Sequence, residues 1–149
     1  NRIQSLIKHN FDNVVPNFEK IDDKDNEMIS EIKRSFEFTG NFLEKRQFRN
    51  SLKEIMNLAK LGNRYIDQKE PWASIKSDKQ IAANTLWVGA NLISNLGVLI
   101  SPFLPKTSLK ISSMFNFGNV IPEWKYREAK SGIKINNISP LFKKIEIEK

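Results

Sequence analysis

Apolar positions recur at helical spacing along most of this chain. Ile3 and Ile7 stand one turn apart with Leu6 beside them, so 1–9 reads as the end of a helix. A break follows over 10–25, with Pro16 and the acids Asp22, Asp23 and Asp25. A second helix starts near Asp25 and carries Ile29, Ile32, Phe36, Thr39 and Leu43 on one face. Acids at its start suit the helix dipole. The third pattern is the most sustained: Phe48, Leu52, Ile55, Ala59, Gly62 and Ile66 alternate steps of four and three. Its small residues, Ala59 and Gly62, allow another helix to come close. Pro71 disfavours helical backbone at Glu70, so this helix should end there.

The stretch 80–105 holds no charged residue. Its length suits a membrane span, but Asn84, Thr85, Asn91, Ser94 and Asn95 are costly in hydrocarbon. A helix enclosed by other helices is also apolar all round, and 79–100 is read that way. Pro102 and Pro105 end it, and 104–116 reads as a short fifth helix. Beyond Phe117 the period dissolves at Gly118, Pro122, Gly132 and Pro140. Trp124, Ile133, Ile135, Leu141, Phe142 and Ile145 are too apolar for a free tail. The expected fold is therefore all-α: a helix bundle over 1–116 and an extended tail, 117–149, that packs back onto it or onto a neighbouring domain. Phe48, Leu52, Ile55, Ala59, Leu86, Ile93 and Leu96 are expected in the core, with Trp124, Leu141 and Phe142 docked on protein.

Composition narrows the chemistry. The 149 residues suit one domain, and 40% apolar content with a mean hydropathy of −0.45 is globular. The absence of cysteine excludes disulfides, a thiol nucleophile and cysteine-based metal sites. A single histidine, His9, excludes multi-histidine metal sites, and at a helix end it reads as a surface residue. Gly89 and Gly97 lie inside the apolar helix, so no glycine-rich phosphate loop exists. Asp22, Asp23, Asp25 and Asn26 lack the glycine and terminal glutamate of a calcium loop, and helix capping is the preferred role. No secretory signal is visible, and a first residue that is Asn1 suggests a piece of a longer chain.

Charge adds one feature. The net +7 is uneven: 15 basic against 13 acidic residues in 1–105, then nine against four in 106–149. With Phe48 at zero and about 100° per residue, the third helix's apolar stripe lies within about 40° either side of zero. Arg46, Arg49, Lys53, Lys60 and Arg64 fall between about 100° and 160°, with Asp67 at the C-terminal end of the strip. Two readings stand: a solvated face, or a strip that tracks a phosphate backbone. Trp72, directly after Pro71, also has two: a core or staple residue, or a platform for a nucleic-acid base.

At this point the sequence resembles a known family. Asn63-Arg64-Tyr65-Ile66-Asp67-Gln68-Lys69-Glu70-Pro71-Trp72 is similar to the Asn-Arg-Tyr-x-Asp-x-x-x-Pro-Trp segment of methionyl-tRNA synthetases. Residues 48–59 resemble the helix leading into it, and 99–105 the family's Pro-x-Leu-Pro turn. The segment 140–146 resembles the close of many bacterial members, which suggests the bacterial type. Asn1-Arg2 matches an Asn-Arg pair in the first helix of the anticodon-binding domain.

The resemblance implies a helix-bundle domain that inspects the CAU anticodon of tRNA(Met) within a cytoplasmic ligase. By the same carry-over, Trp72 stacks on an anticodon base and Arg2 contacts bases. Asp67 tunes discrimination, and Pro71 shapes the turn that holds Trp72. The family's catalytic signatures, His-Ile-Gly-His and Lys-Met-Ser-Lys-Ser, are absent, so no catalytic residue, cofactor or metal is expected in this chain. The parent would use ATP and Mg, with a structural Zn in its catalytic domain. The implied partners are tRNA(Met) and that catalytic domain, with no membrane and no DNA. Two alternatives remain: the bundle of another class I synthetase, and a helical adaptor for an acidic protein.

Overall fold

The computed structural model describes residues 2–136 and 141–142. Six helices follow in order among the described residues: α1 (Arg2–Asn10), α2 (Asp23–Glu44), α3 (Phe48–Lys69), α4 (Pro71–Ser77), α5 (Lys79–Leu99) and α6 (Pro105–Met114). Asp22 caps α2 reciprocally. Its carboxylate accepts from the Asp25 N–H at 3.0 Å, and the Asp25 carboxylate accepts from the Asp22 N–H at 3.1 Å. The acidic cluster is thus a capping box. Asp78 caps α5 by accepting from the N–H groups of Gln80 and Ile81.

The apolar helix α5 is the axis of the bundle. Leu86, Val88, Ala90, Leu92, Val98 and Leu99 are buried, and helices α1, α2, α3 and α6 pack around it. No described helix is long and apolar enough to cross a membrane. Glycines admit the neighbours. A methyl at Gly62 would overlap Leu92, one at Gly89 would lie 2.8 Å from Ile3, and one at Gly97 would lie 2.6 Å from Ile111. The close approach expected at Gly62 is therefore the α3–α5 crossing.

The polar residues of α5 hold the extended segments. Asn84 accepts from the Glu19 N–H at 3.0 Å and donates to the Lys20 carbonyl at 2.9 Å. Asn95 accepts from the Arg127 N–H at 2.9 Å and donates to its carbonyl at 2.8 Å. Asn91 accepts from the Ala129 N–H and the Tyr126 hydroxyl. The tail then meets the loop after α1 through bonds joining Val15 to Ile133 and Gly132 and Asn13 to Ile135, with one antiparallel bridge between Val14 and Lys134.

Several expectations need correction. Phe48 is 56% and Leu52 37% exposed, not core. The buried face of α3 is Ser51, Ile55, Leu58, Gly62, Tyr65 and Ile66. On the same wheel these span about −100° to 0°, so the core face is rotated by roughly 50° from the predicted one. Phe48 also lies roughly 20 Å along α3 from the Gly62 crossing, beyond the reach of α5. Leu86 is fully buried, Ile55 is buried, and Ala59, Ile93 and Leu96 are half-buried. In the tail, Trp124 packs edge-on against Phe36 at 5.7 Å while staying partly exposed, and Leu141 is half-buried against the core. Phe142, expected to dock, is 64% exposed, because its neighbour Leu141 takes the inward position in the bend. The expectation for Ile145 lies outside the described residues.

Candidate nucleic-acid interface

Three elements converge where α3 ends. Glu70 takes a left-handed conformation (φ 43, ψ 57) and serves as both the last cap of α3 and the first of α4. Pro71 follows at the first position of α4, where its fixed φ suits a helix start and its missing N–H costs nothing. Sequence reasoning placed Trp72 in a turn; it stands instead in the first turn of α4, a helix the pattern did not reveal. Seven residues without an apolar period give little to read.

The Trp72 residue is half-buried and packs against the core. The Arg2 guanidinium of α1 sits 4.6 Å from its centroid. Arg2 also donates to Asp67 of α3 at 2.9 Å, both side chains being well exposed. Arg2, Asp67 and Trp72 are thus one cluster built from α1, α3 and α4, and Pro71 is buried beneath it. Its chemistry is a π-surface, a fork of N–H donors and a carboxylate acceptor side by side. An exposed pair of this kind is worth about 0–1 kcal/mol, so it orders both groups yet exchanges partners easily.

The cations are only partly arranged as expected. Arg49, Lys53, Lys60 and Arg64 are exposed on α3. Arg46 is not on that helix: it lies in the preceding turn with φ 57, so the helical projection does not apply to it. Acids of a second helix stand beside the strip. Glu27 and Glu31 of α2 line a groove with Lys24, Arg64 and Gln68, a neighbourhood that projection of one helix cannot show. Arg64 precedes Asp67 by one turn, so the strip runs into the cluster.

Behind the cluster lies an ionic network missed at the sequence level. Lys69 Nζ is 2.6 Å from Asp22 and 2.9 Å from Asp25, and the Tyr65 hydroxyl donates to Asp25 at 2.6 Å. Burial raises the Asp22 carboxyl, but the bonds from Lys69 and the Asp25 N–H outweigh it and leave it below the usual value. Burial lowers the Lys69 ammonium, and the two carboxylates more than reverse that, so it lies above its usual value. The Tyr65 phenol is pushed up by burial first and then by Asp25. A signal existed: Lys69 projects at about −60°, inside the true core face of α3. A lysine there requires a buried anion.

Comparison with known proteins identifies the setting. A family model described as the anticodon binding domain of methionyl tRNA ligase matches residues 15–149. The methionine–tRNA ligase of Pyrococcus furiosus is 37% identical over 143 residues, covering 96% of this chain and 20% of that protein. That of Pyrococcus abyssi is 36% identical over 97% of this chain and 20% of its own length. The chain therefore spans about a fifth of these curated relatives. Among solved structures, apo methionyl-tRNA synthetase of Mycobacterium tuberculosis superposes with a TM-score of 0.90 at 19% identity, over 99% of this chain and 31% of that one. Its methionyl-adenylate complex gives 0.86 at 20% identity, over 95% and 29%. At that identity the likeness is one of fold. The family model and the curated relatives together show that the chain belongs to the anticodon-binding domain family of methionyl-tRNA ligases.

Proposed function

We propose that this chain reads the CAU anticodon of tRNA(Met) for a longer methionine–tRNA ligase. The convergence of Arg2, Asp67 and Trp72 carries the reading. Anticodon bases are unstacked in their loop and are recognised by stacking and by their Watson–Crick edges. The Trp72 ring offers the stack once Arg2, which lies over it, swings onto a base. Arg2 supplies donors for base acceptors, and Asp67 accepts from a cytosine amino group. Arg46, Arg49, Lys53, Lys60 and Arg64 attract the phosphate backbone around the cluster.

On this reading 1–116 form the reading bundle and 117–149 its strap. Catalysis belongs to the parent's own catalytic domain, which joins methionine to tRNA with ATP and Mg and holds any structural Zn. The parent works in the cytoplasm, with no membrane or DNA partner. The bacterial affinity rests on 140–146 alone, and the curated relatives named above are archaeal. The comparisons favour neither the bundle of another synthetase nor an adaptor for an acidic protein. The test is Trp72→Ala in the intact parent. Loss of one base stack is worth about 1–3 kcal/mol, so tRNA affinity should fall about 5- to 150-fold. Melting should fall by less than the about 3–5 kcal/mol of a fully buried aromatic. Unchanged affinity with a steep loss of stability would make Trp72 a core residue only.

A further inference from the structure

The elbow that aims Trp72 is gripped from both sides. On one side stands Lys69, the last residue of α3, whose side chain is only 8% exposed. It is clasped by Asp22 and Asp25 at the start of α2, and Asp25, itself 1% exposed, is held by the Tyr65 hydroxyl. On the other side Pro71 is buried, and the Ser74 hydroxyl donates to the carbonyls of Lys69 at 3.4 Å and Glu70 at 3.3 Å. Between them Glu70 keeps its left-handed backbone. A residue with a side chain stays in that region only where its surroundings over-determine it.

We infer that Lys69, with Asp22, Asp25 and Tyr65, forms a positioning clasp for the anticodon site, fixing the Glu70 elbow so that Trp72 meets Arg2 and Asp67. The inference rests on the reading proposed above. Stability alone does not account for the cluster, because buried ion pairs are often replaceable by apolar residues without loss. What the clasp adds is direction. It ties the start of α2 to the last residue of α3, directly before the Glu70 elbow, and Asp67 lies two positions before that tie.

A double-mutant cycle on the intact parent tests this, with tRNA(Met) affinity measured for wild type, Lys69→Met, Trp72→Ala and the double variant. A clasp that acts through Trp72 gives a loss of about 5-fold or more for Lys69→Met in the wild-type background. In the Trp72→Ala background the same change should cost less than about 2-fold, since coupled sites are not additive. Lys69→Arg, which keeps the cation, should recover most of the affinity. If Lys69→Met fails to fold with Asp25 left unpaired, Lys69→Met with Asp25→Asn replaces it in the cycle. Equal losses in both backgrounds, or no loss in the first, overturn the clasp and leave the anticodon reading standing. Wild-type affinity in Trp72→Ala overturns that reading and the clasp with it.

Discussion

Asn95 uses both ends of its side-chain amide on one residue of the tail, as a neighbouring strand would. This is why an apolar helix tolerates asparagines at 84, 91 and 95: each replaces a pairing partner for an extended segment. Asn95→Ala leaves a part-buried N–H and carbonyl of Arg127 unpaired. Each orphaned group costs about 1–3 kcal/mol, so urea unfolding should show a loss in that range or above. A surface change such as Lys53→Ala should cost almost nothing. The asparagines were legible in the sequence as an argument against a membrane helix, but what they bind was not, because their partners lie 32–65 residues away.

The Asp22–Lys69 pair makes a pH prediction at the same scale. The Asp22 carboxyl is depressed, so its contribution is present above its ordinary value of 3.8 and vanishes as pH falls through the lower folded value. The Lys69 ammonium is raised, so its contribution holds below 10.5 and is lost only as pH rises beyond that. The difference in melting between wild type and Asp22→Asn should be constant from about pH 5 to 9 and should shrink steadily as pH falls below 3.8. A difference that does not shrink at all in acid would show that the pair is not its source.

Among the elements, α3 shows how far a periodic pattern reaches. Its existence and its end at Pro71 follow from spacing and backbone chemistry. Its buried face does not, because three and four steps leave two neighbouring apolar strips. Packing chose the one with Ser51, Leu58 and Tyr65 over the one with Phe48, Leu52 and Met56. Gly62 decides the crossing, since Leu92 occupies the space a side chain would take. Gly62→Ala gains about 1 kcal/mol in helix propensity but must displace a core leucine. Overpacking costs about 1–3 kcal/mol, so the variant should melt lower. A higher melting point would mean that Leu92 turns aside freely. Helix α4 and the position of Arg46 were hidden for a different reason: both depend on left-handed residues, Glu70 and Arg46, that carry no glycine to mark them.

For the whole molecule, the bundle was visible in its periodicities and the docked tail in its apolar residues. The cluster of Arg2, Asp67 and Trp72 was legible only through the family resemblance, since helical spacing says nothing about their meeting across α1, α3 and α4. The cationic strip makes a prediction at this level. Reversing Lys53 and Arg64 to glutamate should weaken tRNA binding by the parent and flatten the slope of log affinity against log salt by about one to two units. An unchanged slope would return the strip to an ordinary solvated face.

The central claim is that this domain reads the anticodon. The most direct measurement is the affinity of the intact parent for tRNA(Met) beside the same tRNA with its first anticodon base changed. One misread base is worth about 1–3 kcal/mol, so binding should weaken about 5- to 150-fold. Equal affinity for the two tRNAs would contradict the account.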